Sequence, residues 1–141
     1  RNAYEGRFSA PFCIARAMLD GELGVRSFTE ERLSDPRMRA IARKVTYRAR
    51  PFAEFPEAFP ALVRMRMQDG AEHEAFIPHN LGTSKNPLGA AGIEAKFRDN
   101  VTFAIGQNAA DQLHSAIFGL EDGQSADALW SALRSAKVSQ A

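Results

Sequence analysis

Few side chains in this sequence of 141 residues could perform chemistry alone: one cysteine, three histidines and a run of basic residues stand out. Cys13 has no second thiol, so it can form neither an internal disulfide nor a cysteine cluster for zinc or iron–sulfur. Beside Phe12 on an apolar segment, it is expected to be inert packing rather than a nucleophile. His73, His79 and His114 lack ligand spacing with one another. His73 is expected on the inner face of a hairpin as a hydrogen-bonded packing residue. His79 is expected to be a solvated residue of a long loop, and His114 to face solvent from a surface helix or to make a minor contact. The surroundings of Ser9 lack the glycines of a nucleophile elbow. Gly82, Gly89 and Gly92 form no phosphate-binding loop, because no strand leads directly into a helix around them. These patterns assign no catalytic residue and no metal ligand.

The basic run is more suggestive. Arg37, Arg39, Arg43, Lys44, Arg48 and Arg50 lie between Asp35 and Glu54 with no acidic residue among them. One account is a solvated face of helix and strand; the other is an attraction site for a polycarboxylate or a phosphate. The nearby aromatic residues cluster with proline, unlike a base-stacking platform. Eighteen basic and seventeen acidic residues leave a formal charge of +1, which gives no strong global field for nucleic acid or anionic lipid. No apolar run reaches the roughly 20 residues of a membrane span. Neither nucleic acid nor membrane is therefore expected as a partner. The single thiol suits a reducing, cytoplasmic setting.

The elements that must position these groups follow from capping and periodicity. With 45% hydrophobic and 25% charged residues the chain is of the globular class. Ser9 can cap a helix with Pro11 in its first turn and Gly21 at its end. Phe12, Ala15, Met18 and Leu19 form one stripe, with Ile14 and Ala17 keeping the other side apolar, so this helix should be largely buried. Ser27 to Glu30 fits a capping box opening a short helix through Leu33. Asp35 and Pro36 start the next, with Met38, Ile41 and Ala42 facing inward.

From Lys44 the pattern changes to alternation, with Val45, Tyr47 and Ala49 against Thr46, Arg48 and Arg50, which predicts a half-exposed strand. Asp69-Gly70 marks a hairpin. A two-residue turn would set Met65 against Glu74. A three-residue loop, Gln68 to Gly70, instead pairs Met65 with His73 and Val63 with Ala75, and sets Arg64–Glu74 and Arg66–Glu72 on the other face. The three-residue loop is expected. A loop from Ile77 to Gly92 precedes helices at about 91–105, 109–119 and 126–135, with Asn108 and Ser125 as caps. The fold class is α+β: a short antiparallel sheet with flanking helices, then a C-terminal helical segment. Three strands are few for a sheet, and the helices are too apolar to stand in water. With no initiator Met and no signal-peptide core in Arg1 to Gly6, the sequence reads as a piece of a longer chain.

Taken in order, Phe8-Ser9-Ala10-Pro11-Phe12-Cys13-Ile14-Ala15, Met18-Leu19-Asp20-Gly21, Phe28-Thr29-Glu30-Glu31 and Asp35-Pro36 resemble the MmgE/PrpD family. The resemblance continues through Phe59-Pro60-Ala61, the Asp69-Gly70 hairpin, Asn86-Pro87-Leu88 and Ile93-Glu94-Ala95-Lys96-Phe97-Arg98. That family includes 2-methylcitrate dehydratases of propionate metabolism, with cis-aconitate decarboxylases among its relatives. The resemblance implies a large helical domain built from both ends of a longer chain, with an inserted α/β lid. Residues 1–88 would be the later part of the lid, and residues 89–141 helices returning to the helical domain. It also implies a metal-independent lyase with no cofactor, acting on a small polycarboxylate, with a homodimer formed through the parent protein. Most polar active-site groups would lie upstream. Ser9 matches the family's lid-helix serine, and Phe12 the position of an aromatic residue, commonly tyrosine, that faces the cleft. Both are expected in substrate binding, although Phe12 has no hydroxyl to exchange a proton. A non-catalytic α+β interaction module is the competing expectation.

If the basic run attracts the substrate, replacing Arg39, Arg43 and Arg48 with Gln in a full-length enzyme raises KM. Steady-state kinetics checks this, and an unchanged KM retires the idea.

Overall fold

A computed structural model of the protein describes residues 2–136. The class is α+β: among the described residues there are seven α-helices, one short 3-10 turn and a two-stranded antiparallel sheet, with the last three helices C-terminal to the strands. Helices α1 (Ala3–Gly6), α2 (Ala10–Asp20), α3 (Glu30–Ser34) and α4 (Pro36–Ala42) precede strands β1 (Ala61–Arg66) and β2 (Glu72–Ile77). Helices α5 (Gly89–Ile105), α6 (Gln107–Gly119) and α7 (Ala126–Ser135) follow. The chain forms two compact units. One takes the residues up to Tyr47 and those from Glu94 onward; the other is Arg48–Ile93.

In the first unit, α2 starts where the Ser9 hydroxyl accepts the Phe12 amide at 3.3 Å, with Pro11 in the first turn. It stops at Gly21, whose φ of +78° is the left-handed cap. Its inward face packs on α4: Phe12, Ala15 and Met38 are buried, and Cys13, Leu19, Phe28, Leu33, Ile41 and Ala42 close around them. Asp35 caps α4 through the Arg37 amide at 2.9 Å, with Pro36 in its first turn. Ser27 does not open α3 as expected. Thr29 caps α3 by accepting the Arg32 amide, and Ser27 is spent one turn earlier, accepting the Gly24 amide at the start of the 3-10 turn Val25–Phe28.

The buried side of α2 also carries a charge. Arg16 is 0% exposed, the largest fully buried side chain. Its Nε donates to Asp20 at 3.1 Å, its Nη2 also reaches Asp20, and its Nη1 donates to Asp35 at 3.1 Å. A guanidinium removed from water needs such acceptors, because an unpaired buried charge is far costlier than the pair. The network ties α2 to the N-terminus of α4.

A second tie joins distant sequence within the same unit. Asp99 of α5 accepts the Val25 amide at 3.3 Å and pairs with Arg26 at 3.5 Å, while Arg26 lies over the Phe103 ring. A Cβ on Gly24 would stand 2.7 Å from the Asp99 carboxylate, so any larger residue there would have to displace that carboxylate. At the C-terminal end, Ala110, Leu113 and Ala116 of α6 are buried, and α6 packs on α7. The cap of α6 is Gly106 (φ +82°), not Asn108, which lies inside the helix. Ser125 caps α7 as expected, accepting the Asp127 amide at 3.1 Å.

In the second unit the hairpin has the expected register, Met65 opposite His73, Val63 opposite Ala75, Arg64 opposite Glu74 and Arg66 opposite Glu72. Gly70 takes φ +88°, and the Met67 amide closes the loop on the Ala71 carbonyl at 2.8 Å. Both Arg–Glu pairs form, that of Arg66 and Glu72 at 2.7 Å. Two expectations fail here. Residues 45–50 are irregular rather than a strand: their alternation is real, but no strand among the described residues lies beside them to accept the backbone hydrogen bonds. His73 is exposed, as is every residue of β2, although its partner Met65 on β1 is half-buried.

Replacing Arg16 with Leu leaves two carboxylates without their shared cation. The unfolding free energy is expected to fall by about 3 kcal/mol, read as a lower urea midpoint at unchanged slope. An unchanged midpoint would show that the network does not hold α2 to α4.

Candidate functional site

Ser9 and Phe12, the two expected substrate-binding residues, stand on the first turn of α2 and are joined by the capping hydrogen bond. The Ser9 hydroxyl is half-buried, and while its oxygen accepts the Phe12 amide its own proton remains available for donation. Phe12 is 6% exposed. Its ring lies 5.7 Å from that of Phe28 and within van der Waals reach of Gly6. Phe12 is thus part of the wall behind the helix start, and Ser9 is the polar group presented there.

Cys13 follows on the same helix, half-buried, with its thiol directed at the Gly6 and Arg7 carbonyls at 3.6 and 3.9 Å. Burial pushes its pKa up, which disfavours the nucleophilic thiolate. The expected packing role fits this environment.

The basic run is shared between the two units, Arg37, Arg39, Arg43 and Lys44 in the first and Arg48 and Arg50 in the second. Arg37 folds back onto Asp35 at 3.3 Å, and Arg39, Arg43, Lys44 and Arg48 are exposed. Arg50 stacks over Phe52, 5.0 Å from the ring centroid. The Arg37 side chain, then its backbone amide, hold the Asp35 carboxyl below its ordinary pKa, with Arg16 assisting.

Two histidines sit in more structured places than their sequence suggests. His79 is half-buried, its carbonyl accepts the Asn86 side-chain amide at 2.8 Å, and it lines a cavity of about 100 Å³ with Thr83, Ser84, Lys85 and Glu57. His114, expected to face solvent or make a minor contact, is only 18% exposed. Its Nε2 lies 2.9 Å from Glu94, and its ring packs between Phe97 and Phe118, with centroids at 6.1 and 4.4 Å. Glu94 also accepts Arg98 at 3.2 Å, and Arg98 reaches Asp111 at 2.9 Å. Arg98, then His114, lower the Glu94 pKa; Gln107, then Arg98, lower that of Asp111. The signal for this cluster was the Glu94/Arg98 spacing on one helix and the Asp111/His114 spacing on the next. Among the described residues, no three His, Cys, Asp or Glu side chains gather as a metal-binding set. No described helix is long and apolar enough to cross a membrane.

The ordered motifs that start at the Ser9 helix and run through the Glu94 helix coincide with a known domain. The family model of the MmgE/PrpD C-terminal domain matches residues 1–121. The chain belongs to the MmgE/PrpD family. Over 138 residues it is 24% identical to the cis-aconitate decarboxylase of Mus musculus, an alignment that takes in 96% of this chain and 28% of that relative. The chain therefore spans little more than a quarter of the length of the curated relative it matches.

The lowered carboxyl pKa values set a pH dependence. Asp35 and Glu94 titrate below their ordinary range when folded, so the unfolded chain binds more protons as the medium is acidified. Their contribution is complete above about pH 4–5, the unfolded range, and is lost as pH falls through the lower folded values. Thermal melting followed by circular dichroism is expected to show a declining Tm on the acid side. Replacing Glu94 with Gln should flatten that decline, and an unaltered acid limb would contradict the assignment.

Proposed function

We propose that this MmgE/PrpD domain is the C-terminal part of a lyase that eliminates water from a short-chain tricarboxylate, with 2-methylcitrate the leading candidate. The observation that carries this reading is the family match over residues 1–121, a range that includes the Ser9 helix and the Asp69-Gly70 hairpin. The name of the mouse relative favours a second reading, loss of CO₂ from cis-aconitate.

In the dehydration, a base removes the proton from a carbon next to a carboxylate. The electron pair forms the C=C bond, and the hydroxyl group departs as water after receiving a proton from an acid. Cations and hydrogen-bond donors must hold the carboxylates while charge develops. Phe12 lacks a hydroxyl and takes no proton; its ring shapes the wall behind the first turn of α2. Ser9 donates its hydroxyl proton to a substrate carboxylate while its oxygen keeps the helix cap. The base and acid are supplied elsewhere in the whole enzyme, in the helical domain and the earlier part of the lid. Residues 1–88 form the later lid, and residues 89–141 join the helical domain. That domain covers apolar side chains such as Ile93, Trp130 and Leu133, which are 62%, 55% and 44% exposed. The whole enzyme works as a cytoplasmic homodimer.

The full-length protein, assayed against 2-methylcitrate, citrate and cis-aconitate, is expected to form an unsaturated tricarboxylate from 2-methylcitrate without releasing CO₂. CO₂ release from cis-aconitate alone would select the decarboxylase reading, and turnover of none would overturn both. Replacing Ser9 with Asp preserves an effective helix cap but sets a negative charge at the proposed carboxylate contact. KM should rise at least tenfold with Tm nearly unchanged; an unchanged KM removes Ser9 from the site.

A further inference from the structure

A cavity lies in the Arg48–Ile93 unit, away from Ser9 in sequence and not used by the lyase reading. Arg50, Pro51, Phe52, Phe55, Phe59 and Pro60 line an open cavity of about 400 Å³. That volume lies within the range of small-molecule sites, roughly 300–1,000 Å³. Its walls are fixed by local structure. The Phe55 amide donates to the Phe52 carbonyl at 3.3 Å, and the Ala58 amide to the Glu54 carbonyl at 2.8 Å. Ala58 is 3% exposed and anchors this turn. The Phe52 ring stacks on Phe76 of β2 at 5.8 Å with an interplanar angle of 15°.

Two rings are left open against that frame. Phe55 and Phe59 form an edge-to-face pair at 6.0 Å, yet they are 60% and 70% exposed. Water gains nothing from such rings, and a ligand that covers them gains about 25 cal/mol per Å² of apolar area removed from solvent. The remaining lining group is cationic. The Arg50 guanidinium carbon lies over the Phe52 ring, 5.0 Å from its centroid, and a stacked guanidinium still carries N–H donors that can hydrogen-bond a carboxylate. No carboxylate side chain lines the cavity, and no described carboxylate pairs with Arg50. An apolar body with one carboxylate satisfies both parts: the body covers Phe55 and Phe59, and the carboxylate takes a forked pair of hydrogen bonds from Arg50.

We propose that this cradle binds a monocarboxylate carrying an aryl or branched alkyl group, with Arg50 holding the carboxylate and Phe55 and Phe59 covering the apolar group. The site stands on its own geometry and does not depend on the lyase reading. Calorimetric titration of the protein with 3-phenylpropionate tests it. Saturable binding is expected, with 3-phenylpropionamide and acetate each at least fivefold weaker, since one lacks the charge and the other the ring. Arg50→Gln and Phe59→Ala, both changes at exposed side chains, should each weaken binding at least fivefold while leaving the circular dichroism spectrum unchanged. Equal affinity for the acid and its amide, or binding that survives both substitutions, overturns the proposal. So does self-association, seen by sedimentation, that Phe59→Ala abolishes in the absence of any 3-phenylpropionate binding, because the cradle would then serve a second copy of the chain.

Discussion

Arg16 has no access to water, so its guanidinium must be answered entirely by protein acceptors. Asp20 meets it from one turn further along α2, and Asp35 from the N-terminus of α4. The consequence is geometric more than energetic. A flexible apolar contact would let α2 slide on α4, whereas a planar fork with two fixed carboxylates permits little variation in their relative position. Asp35 performs two tasks with one side chain, capping α4 and closing the Arg16 network, so the helix start and the buried pair stand or fall together. Because α2 is a single rigid rod of eleven residues, fixing its C-terminal half also fixes where Ser9 and Phe12 stand at its beginning. The proposed substrate contact thus depends on a charge seven residues away from Ser9 that touches no substrate.

Local rules were the most legible part of the sequence. Ser9, Gly21, Asp35, Pro36 and Ser125 act through neighbours within four positions, and each occupies the role that its type and spacing prescribe. The hairpin was equally legible, because pairing by charge and pairing by hydrophobicity selected the same register. Failures arise where a residue's meaning lies in a distant partner. Val45 to Arg50 alternate like a strand, but alternation specifies faces and not the neighbour that makes a strand. His73 has a face but nothing covers it. His114 looked solvent-facing because its partners, Glu94 and Phe97, are on the preceding helix. Arg16 was readable and was missed: a lone arginine in an otherwise apolar helix, four residues before an aspartate, announces a buried pair.

The distribution of apolar surface has the same origin. Tyr4, Phe8, Tyr47, Ile93 and Trp130 are all more than half exposed. The helices formed nonetheless, since caps and backbone hydrogen bonds need no tertiary cover once a few contacts hold them. Secondary structure here is set locally, while burial waits on additional surface. The proposed helical domain of the whole enzyme supplies such surface for residues 89–141.

That division bears on which exposed groups are informative. Exposure of Ile93 or Trp130 says little about ligand chemistry, because each lies on a helical stripe that another helix would cover in the usual way. Phe55 and Phe59 differ. They project from a proline-bounded turn that has no helical or strand periodicity, and a turn already pinned by Ala58 and by the Phe52–Phe76 stack gains no further order from a covering helix. The guanidinium beside them also argues against a purely apolar cover, because burying Arg50 without an acceptor would forfeit its hydration. A cover that brings its own carboxylate avoids that loss, and this requirement separates a ligand site from an ordinary uncovered face.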